Sequence, residues 1–139
     1  MTDSISPAKR SWNMSRIKSK NTSIENKVRF YLKQNNIILR KNNYLPGKPD
    51  FCSVKFKIAV FINGCFWHNH GCSRSNIPKS NIEFWKIKLN NTKRRDIKNI
   101  NKLKEIGYIV FVFWECEINK DIHILDSLVN LYKDYQELF

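Results

Sequence analysis

The run Leu45-Pro46-Gly47-Lys48-Pro49-Asp50-Phe51-Cys52-Ser53-Val54-Lys55-Phe56-Lys57-Ile58-Ala59-Val60-Phe61-Ile62 decides the fold class. Its first five residues form a turn that no helix crosses, because two prolines and a glycine stand within it. Phe51–Val54 and Lys57–Ile62 then read as two strands close enough to pair as a hairpin. The second is apolar at every position from Ile58 to Ile62, the pattern of a strand covered on both faces.

Outward from this hairpin the period changes to that of helices. Upstream, Thr22-Ser23-Ile24-Glu25 fits a capping box, with Glu25 three residues after Thr22. Ile24, Val28, Tyr31 and Leu32 follow at helical spacing, and the helix should stop near Asn35-Asn36. Ile37–Arg40 reads as a short strand. Downstream, Asn63–Ser80 is irregular and holds most of the Cys and His. Asn81–Ile106 is helical, with Leu89, Ile97, Ile100, Leu103 and Ile106 as the inward face and a break expected near Asn90-Asn91. Gly107 supplies a helix stop. Tyr108–Trp114 reads as a buried strand. Ile122–Leu138 reads as a terminal helix with Leu125, Leu128, Val129 and Tyr132 inward. The order predicts an α/β fold, a small central sheet flanked by helices. Residues 21–139 make one domain. Residues 1–20, polar and basic, read as a DNA-binding arm.

Charge narrows the function. The 139 residues carry 25 Lys+Arg against 12 Asp+Glu, a net of +13. Residues 1–104 hold 23 basic and 5 acidic side chains, and residues 105–139 hold 2 and 7. Lysine-rich coding accounts for part of the excess but not for confining the acids to the last quarter. A basic body of this kind implies a polyanion partner, nucleic acid above all. No apolar run is long enough to span a bilayer, and the start lacks the apolar centre of a signal peptide. A cytoplasmic protein, nucleoid-associated when on DNA, is expected. The four cysteines, Cys52, Cys65, Cys72 and Cys116, then read as thiols or metal ligands rather than disulfides.

The segment Cys65-Phe66-Trp67-His68-Asn69-His70-Gly71-Cys72 carries the densest chemistry. Thiolate and imidazole suit Zn2+, and a closed structural site needs four ligands. Cys65, His70 and Cys72 provide three, and Cys116 lies just past an apolar strand that can return it to this loop. In an extended loop His68 and His70 point the same way, so either can be the ligand, and the other is left as a general base or a surface histidine. Phe66 and Trp67 can pack on the zinc loop or wedge into a base stack. Asp50, at a strand start, is a candidate for Mg2+ binding or a turn cap. The capping box alone accounts for Glu25.

With these residues in view, the chain resembles the very short patch repair endonucleases from about Arg10 to about Cys116. The resemblance rests on Asn13-Met14, Thr22-Ser23-Ile24-Glu25, Leu45 through Phe51, Gly64 through His68, His70-Gly71-Cys72, Glu83-Phe84-Trp85 and Trp114-Glu115-Cys116. It implies a restriction-endonuclease-like core with structural Zn2+ on Cys65, His70, Cys72 and Cys116. It implies catalytic Mg2+ on Asp50 and the backbone carbonyl of Ile62. His68 would be the base acting on the attacking water, Glu25 a nearby acid, and Phe66, Trp67 and Met14 the wedge beside a mismatched pair. The family nicks 5′ to the thymine of T·G mismatches left by deamination of 5-methylcytosine. A monomer is expected, with mismatch-repair proteins and a DNA polymerase acting downstream. The chain departs from the restriction-enzyme Glu-x-Lys signature, reading Phe61-Ile62-Asn63 in that region, and has Asn63 where the family commonly has histidine. Cys52 falls outside the ligand set and reads as packing. The same residues also fit two alternatives, a nuclease of the same fold cutting intact duplex and a zinc-bearing DNA-binding module without catalysis.

Overall fold

The computed structural model describes residues 23–64 and 81–139. The elements are helix α1 (Ser23–Gln34), strands β1 (Phe51–Ser53) and β2 (Ile58–Asn63), helix α2 (Ile82–Glu105), strand β3 (Ile109–Trp114), helix α3 (Glu115–Lys120), a 3-10 turn (Ile122–Leu125) and helix α4 (Asp126–Leu138). The sheet order is β1-β2-β3. β1 runs antiparallel to β2, with Phe51 opposite Val60. β3 runs parallel to β2, from Ile58 opposite Ile109 to Asn63 opposite Trp114. A parallel neighbour requires a long crossover, and α2 provides it. The fold is mixed α/β, a small three-stranded sheet flanked by helices, as the sequence predicts.

Alternation along β2 divides the core. Ile58, Val60 and Ile62 pack with Ile24, Val28 and Leu32 of α1, Ile118 of α3, Leu125, and Leu128, Val129 and Tyr132 of α4. Ala59 faces the other way, with Leu103 of α2 and Tyr108, and Leu45 and Phe61 pack against them. Both faces of β2 are thus covered, which explains the unbroken apolar run. The inward residues expected for the terminal helix, Leu125, Leu128, Val129 and Tyr132, are all buried.

Helix ends follow local chemistry. Asn36 takes a left-handed conformation (φ 60) and closes α1, its N–H donating to the Lys33 carbonyl and that of Ile37 to Leu32. Gly107 (φ 93) closes α2 the same way, with Gly107 N–H on Lys104 and Tyr108 N–H on Leu103. Both are paired caps of the Schellman kind.

Several expectations change. Ile37–Arg40 makes one isolated bridge, Arg40 to Cys52, rather than a strand. α2 does not break at Asn90-Asn91. The modest propensity cost of two asparagines is outweighed by Trp85, Leu89 and Thr92, buried on either side of them. The inward face of α2 is Trp85, Leu89, Thr92 and Leu103, while Ile97 and Ile106 are exposed. β3 is only half-covered, because it has β2 on one side and no further described strand on the other. The segment between β3 and α4 holds α3 and a 3-10 turn, so the terminal helix begins at Asp126 instead of Ile122. The proposed arm, residues 1–20, lies outside the described residues.

Candidate active site

The first 104 residues contain five acids. Two of them, Glu25 and Asp50, meet. Glu25 lies in the first turn of α1 and is 2% exposed, an unusual setting for a carboxyl. It is held there by Ile24 and Val28, its apolar neighbours on the helix face pressed to β2. Asp50 comes from the other direction. Pro49 before it is fully buried, Phe51 after it enters the core, and the carboxyl is left at the mouth of the sheet. Asp50 Oδ2 accepts a hydrogen bond from the Ile62 N–H at 2.8 Å. The carboxyl therefore serves the neighbouring strand and not the turn, so the turn-cap alternative for Asp50 is set aside. The Glu25 carboxyl is hydrogen-bonded to that of Asp50. The capping-box partner of Glu25, Thr22, lies outside the described residues, and a pairing across 25 positions has no local sequence signal.

The electrostatics follow from this packing. Burial first, and the adjacent Glu25 carboxyl next, raise the Asp50 pKa from 3.8 to about 7; the Ile62 N–H and the charge of Lys41 pull it down. Two carboxyls in contact cannot both ionise cheaply without a compensating charge. They share a proton, or they share a cation. A strand residue sends its N–H and C=O to the same side, so the Ile62 carbonyl leaves β2 on the side where Asp50 sits. Carboxylate and carbonyl oxygens are the donors that Mg2+ prefers, and the donor set here fits such an ion.

Asn63, the last residue of β2, is buried and paired in register with Trp114. Its amide can accept or donate a hydrogen bond but cannot act as a base at neutral pH. Cys116 is half-buried at the start of α3, two residues beyond Trp114. Cys65 stands two residues beyond Asn63 in sequence, and Asn63 is the register partner of Trp114. The parallel pairing thus equalises the chain length from the strand ends to these two cysteines. A thiol so placed suits the fourth position of a thiolate-rich zinc site. Among the described residues no group of three or more His, Cys, Asp or Glu gathers as a metal cluster. Cys65, Phe66, Trp67, His68, His70, Cys72 and Met14 lie outside the described residues. Cys52, in the middle of β1, is buried, and burial pushes its thiol pKa up, in keeping with a packing role. No described helix is long and apolar enough to cross a membrane.

Comparison with known proteins finds matches over most of the chain. The sequence profile described as "DNA mismatch endonuclease Vsr" matches residues 2–74. The chain is 46% identical to the type II nicking enzyme V.NmeAIP of Neisseria meningitidis serogroup A, over 96% of this chain and 99% of that protein. It is 37% identical to the type II nicking enzyme V.XorIIP of Xanthomonas oryzae pv. oryzae, over 91% and 93%. It is 35% identical to the DNA mismatch endonuclease Vsr of Escherichia coli (strain K12), over 85% and 76%.

Proposed function

Because the chain belongs to the Vsr family of DNA mismatch endonucleases, we propose that this endonuclease nicks one strand of duplex DNA 5′ to the thymine of a T·G mismatch. The observation that carries the reading is the buried contact between Glu25 and Asp50 beside the Ile62 backbone. Burying two carboxyls in contact is costly, and such pairs concentrate where their charge is used.

In this reading Asp50 and the Ile62 carbonyl hold Mg2+, which when bound would supply electrophilic stabilisation of the scissile phosphate and acidify water. The remaining work falls to side chains. Glu25 fixes the Asp50 carboxyl and orients water near it. His68 takes the proton of the attacking water, a role suited to an imidazole at neutral pH. Asn63 takes no proton, which leaves His68 to carry the transfer alone. Cys65, His70, Cys72 and Cys116 hold structural Zn2+, and this ties the loop bearing His68 to the end of the sheet. Phe66, Trp67 and Met14 wedge into the stack beside the mismatch. A mispaired step opens at lower cost than a matched one, and part of the selectivity comes from that difference. The basic body contributes affinity through phosphate neutralisation and makes it salt-dependent. The core is of the restriction-endonuclease-like type in this account.

The test is strand cleavage of end-labelled duplexes bearing T·G, matched T·A, matched C·G and other mismatches, with and without Mg2+. A single nick in the T strand of the T·G duplex alone, lost in Asp50→Ala, is the expected result. Cleavage of the matched duplexes would replace this reading with a nuclease of intact DNA. Binding without cleavage would leave only a DNA-binding module.

A further inference from the structure

The loop that delivers Asp50 also projects an aromatic ring into solvent. Tyr44 is 99% exposed, the most exposed large apolar side chain among the described residues. A lone exposed aromatic is ordinary. Three features set Tyr44 apart.

Its backbone is held from both sides. The Asn42 carboxamide oxygen accepts from the N–H of Tyr44 at 2.8 Å and from that of Leu45 at 3.2 Å. Leu45 packs on the cluster formed by Ala59, Leu103 and Tyr108. Gly47 (φ +76) lies so close to α2 and β2 that an added Cβ would stand 3.0 Å from the Asn99 Cβ and 3.1 Å from the Phe61 ring. The ring is therefore carried on a fixed platform at little ordering cost, as an anchor for a ligand should be.

Cations flank it. Lys41 and Lys48 are both exposed on the same loop, and the charge of Lys41 is felt at Asp50. Interleaved basic and aromatic side chains are the composition of a surface that tracks a nucleic-acid backbone and stacks on its bases or sugars.

The loop closes on the active site. The Asn42 N–H reaches the Pro49 carbonyl at 3.5 Å, and Asp50 follows directly. Tyr44 is two residues from Asn42, so with that hydrogen bond closing the loop its Cα lies within roughly 15 Å of that of Asp50. A duplex with a phosphate at Asp50 has its neighbouring nucleotides within that distance.

We propose that Tyr44 is a DNA-contacting residue, a fixed aromatic platform on which a nucleotide near the scissile phosphate packs, with Lys41 and Lys48 pairing to the flanking phosphates. This rests on the endonuclease reading of Asp50. It adds a contact outside the loop that carries Phe66 and Trp67.

The test is binding of a fluorescein-labelled T·G duplex by anisotropy, with Ca2+ replacing Mg2+ to prevent cleavage, over a series of salt concentrations. Tyr44→Ala should weaken binding about tenfold or more at every salt concentration with no change in the salt slope, because a ring releases no counterions. Tyr44→Phe should restore binding. Lys48→Ala should lower the salt slope by about one. Binding of Tyr44→Ala within twofold of the wild type overturns the proposal, as does a loss in Tyr44→Phe equal to that in Tyr44→Ala. A wild type that binds the duplex but never nicks it in Mg2+, with Tyr44→Ala still weakened, keeps the platform and removes the nickase reading. The reverse pattern, normal nicking with an inert Tyr44→Ala, does the opposite.

Discussion

Replacing Asp50 by asparagine should make the protein more stable when Mg2+ is absent. The folded protein holds the Asp50 proton up to about pH 7, whereas the unfolded chain releases it near 3.8. The folded pKa is raised, so the stabilising contribution is fully present below the unfolded value. It is lost progressively as pH rises from about 4 to about 7, and above that the penalty is constant. The gap corresponds to about 4 kcal/mol at 1.36 kcal/mol per unit of pKa. Asparagine keeps an oxygen for the Ile62 N–H and removes the charge facing Glu25. Some packing is lost in the exchange, so a net gain of about 2–3 kcal/mol near pH 8 is expected, or roughly 6–10 °C in Tm for a chain of this size. The assay is thermal unfolding by circular dichroism, in buffer depleted of divalent ions by exchange resin so that any zinc remains bound. Added Mg2+ should raise the Tm of the wild type and leave that of Asp50→Asn unchanged, since a ligand stabilises only the state that binds it. The reasoning is refuted if Asp50→Asn melts below the wild type near pH 8 without Mg2+, or if wild-type stability climbs between about pH 5 and 7.

Glu25→Gln should likewise raise metal-free stability while cutting the nicking rate at least about tenfold at saturating Mg2+, because the shape is kept and one charge is lost; a time course on the T·G duplex reads this. Elemental analysis should find one zinc per chain, and Cys116→Ala should lose that zinc and melt at a lower temperature. Gly47→Val should destabilise by about 2 kcal/mol or more in urea unfolding, since φ is +76 and the space is filled by Asn99 and Phe61. Leu128→Ala, in the centre of the core, should cost about 2–5 kcal/mol without altering the pH dependence set by Asp50.

The parts of the fold that were legible are those where one local pattern has one physical solution. β2 is apolar from Ile58 to Ile62 because helices cover both its faces, and Gly107 and Asn36 stop helices because each takes a left-handed conformation there. The inward face of α2 was misread for the converse reason. Burial favours apolar residues, but apolar residues need not be buried. Ile97 and Ile106 are exposed, while Thr92 is buried with its hydroxyl bonded to the Lys88 carbonyl. Helix α3 has six residues, too few to display a period. The site divides the same way. Asp50 could be singled out because it opens a strand after a proline turn. The contact with Glu25 could not, since it depends on how α1 is laid across β2. Tyr44 and Lys41 gave no signal, because in sequence an exposed tyrosine and lysine look like any surface residues.

The parallel pairing of β2 with β3 also bears on how the protein is made. β2 leaves the ribosome some fifty residues before its partner strand, and the helices that cover its α1-side face, α3 and α4, come later still. During that interval β1 pairs one edge of β2 and α1 lies on one face, but the edge that β3 takes is open. The N-terminal half bears Glu25 and Asp50, yet its core is shared with Phe113, Ile118, Leu125 and Leu128 from the C-terminal end. The acidic final segment supplies β3 beside Ile62 and Asn63 and Ile118 beneath Ile24, and so completes the structure in which those two carboxyls are forced together.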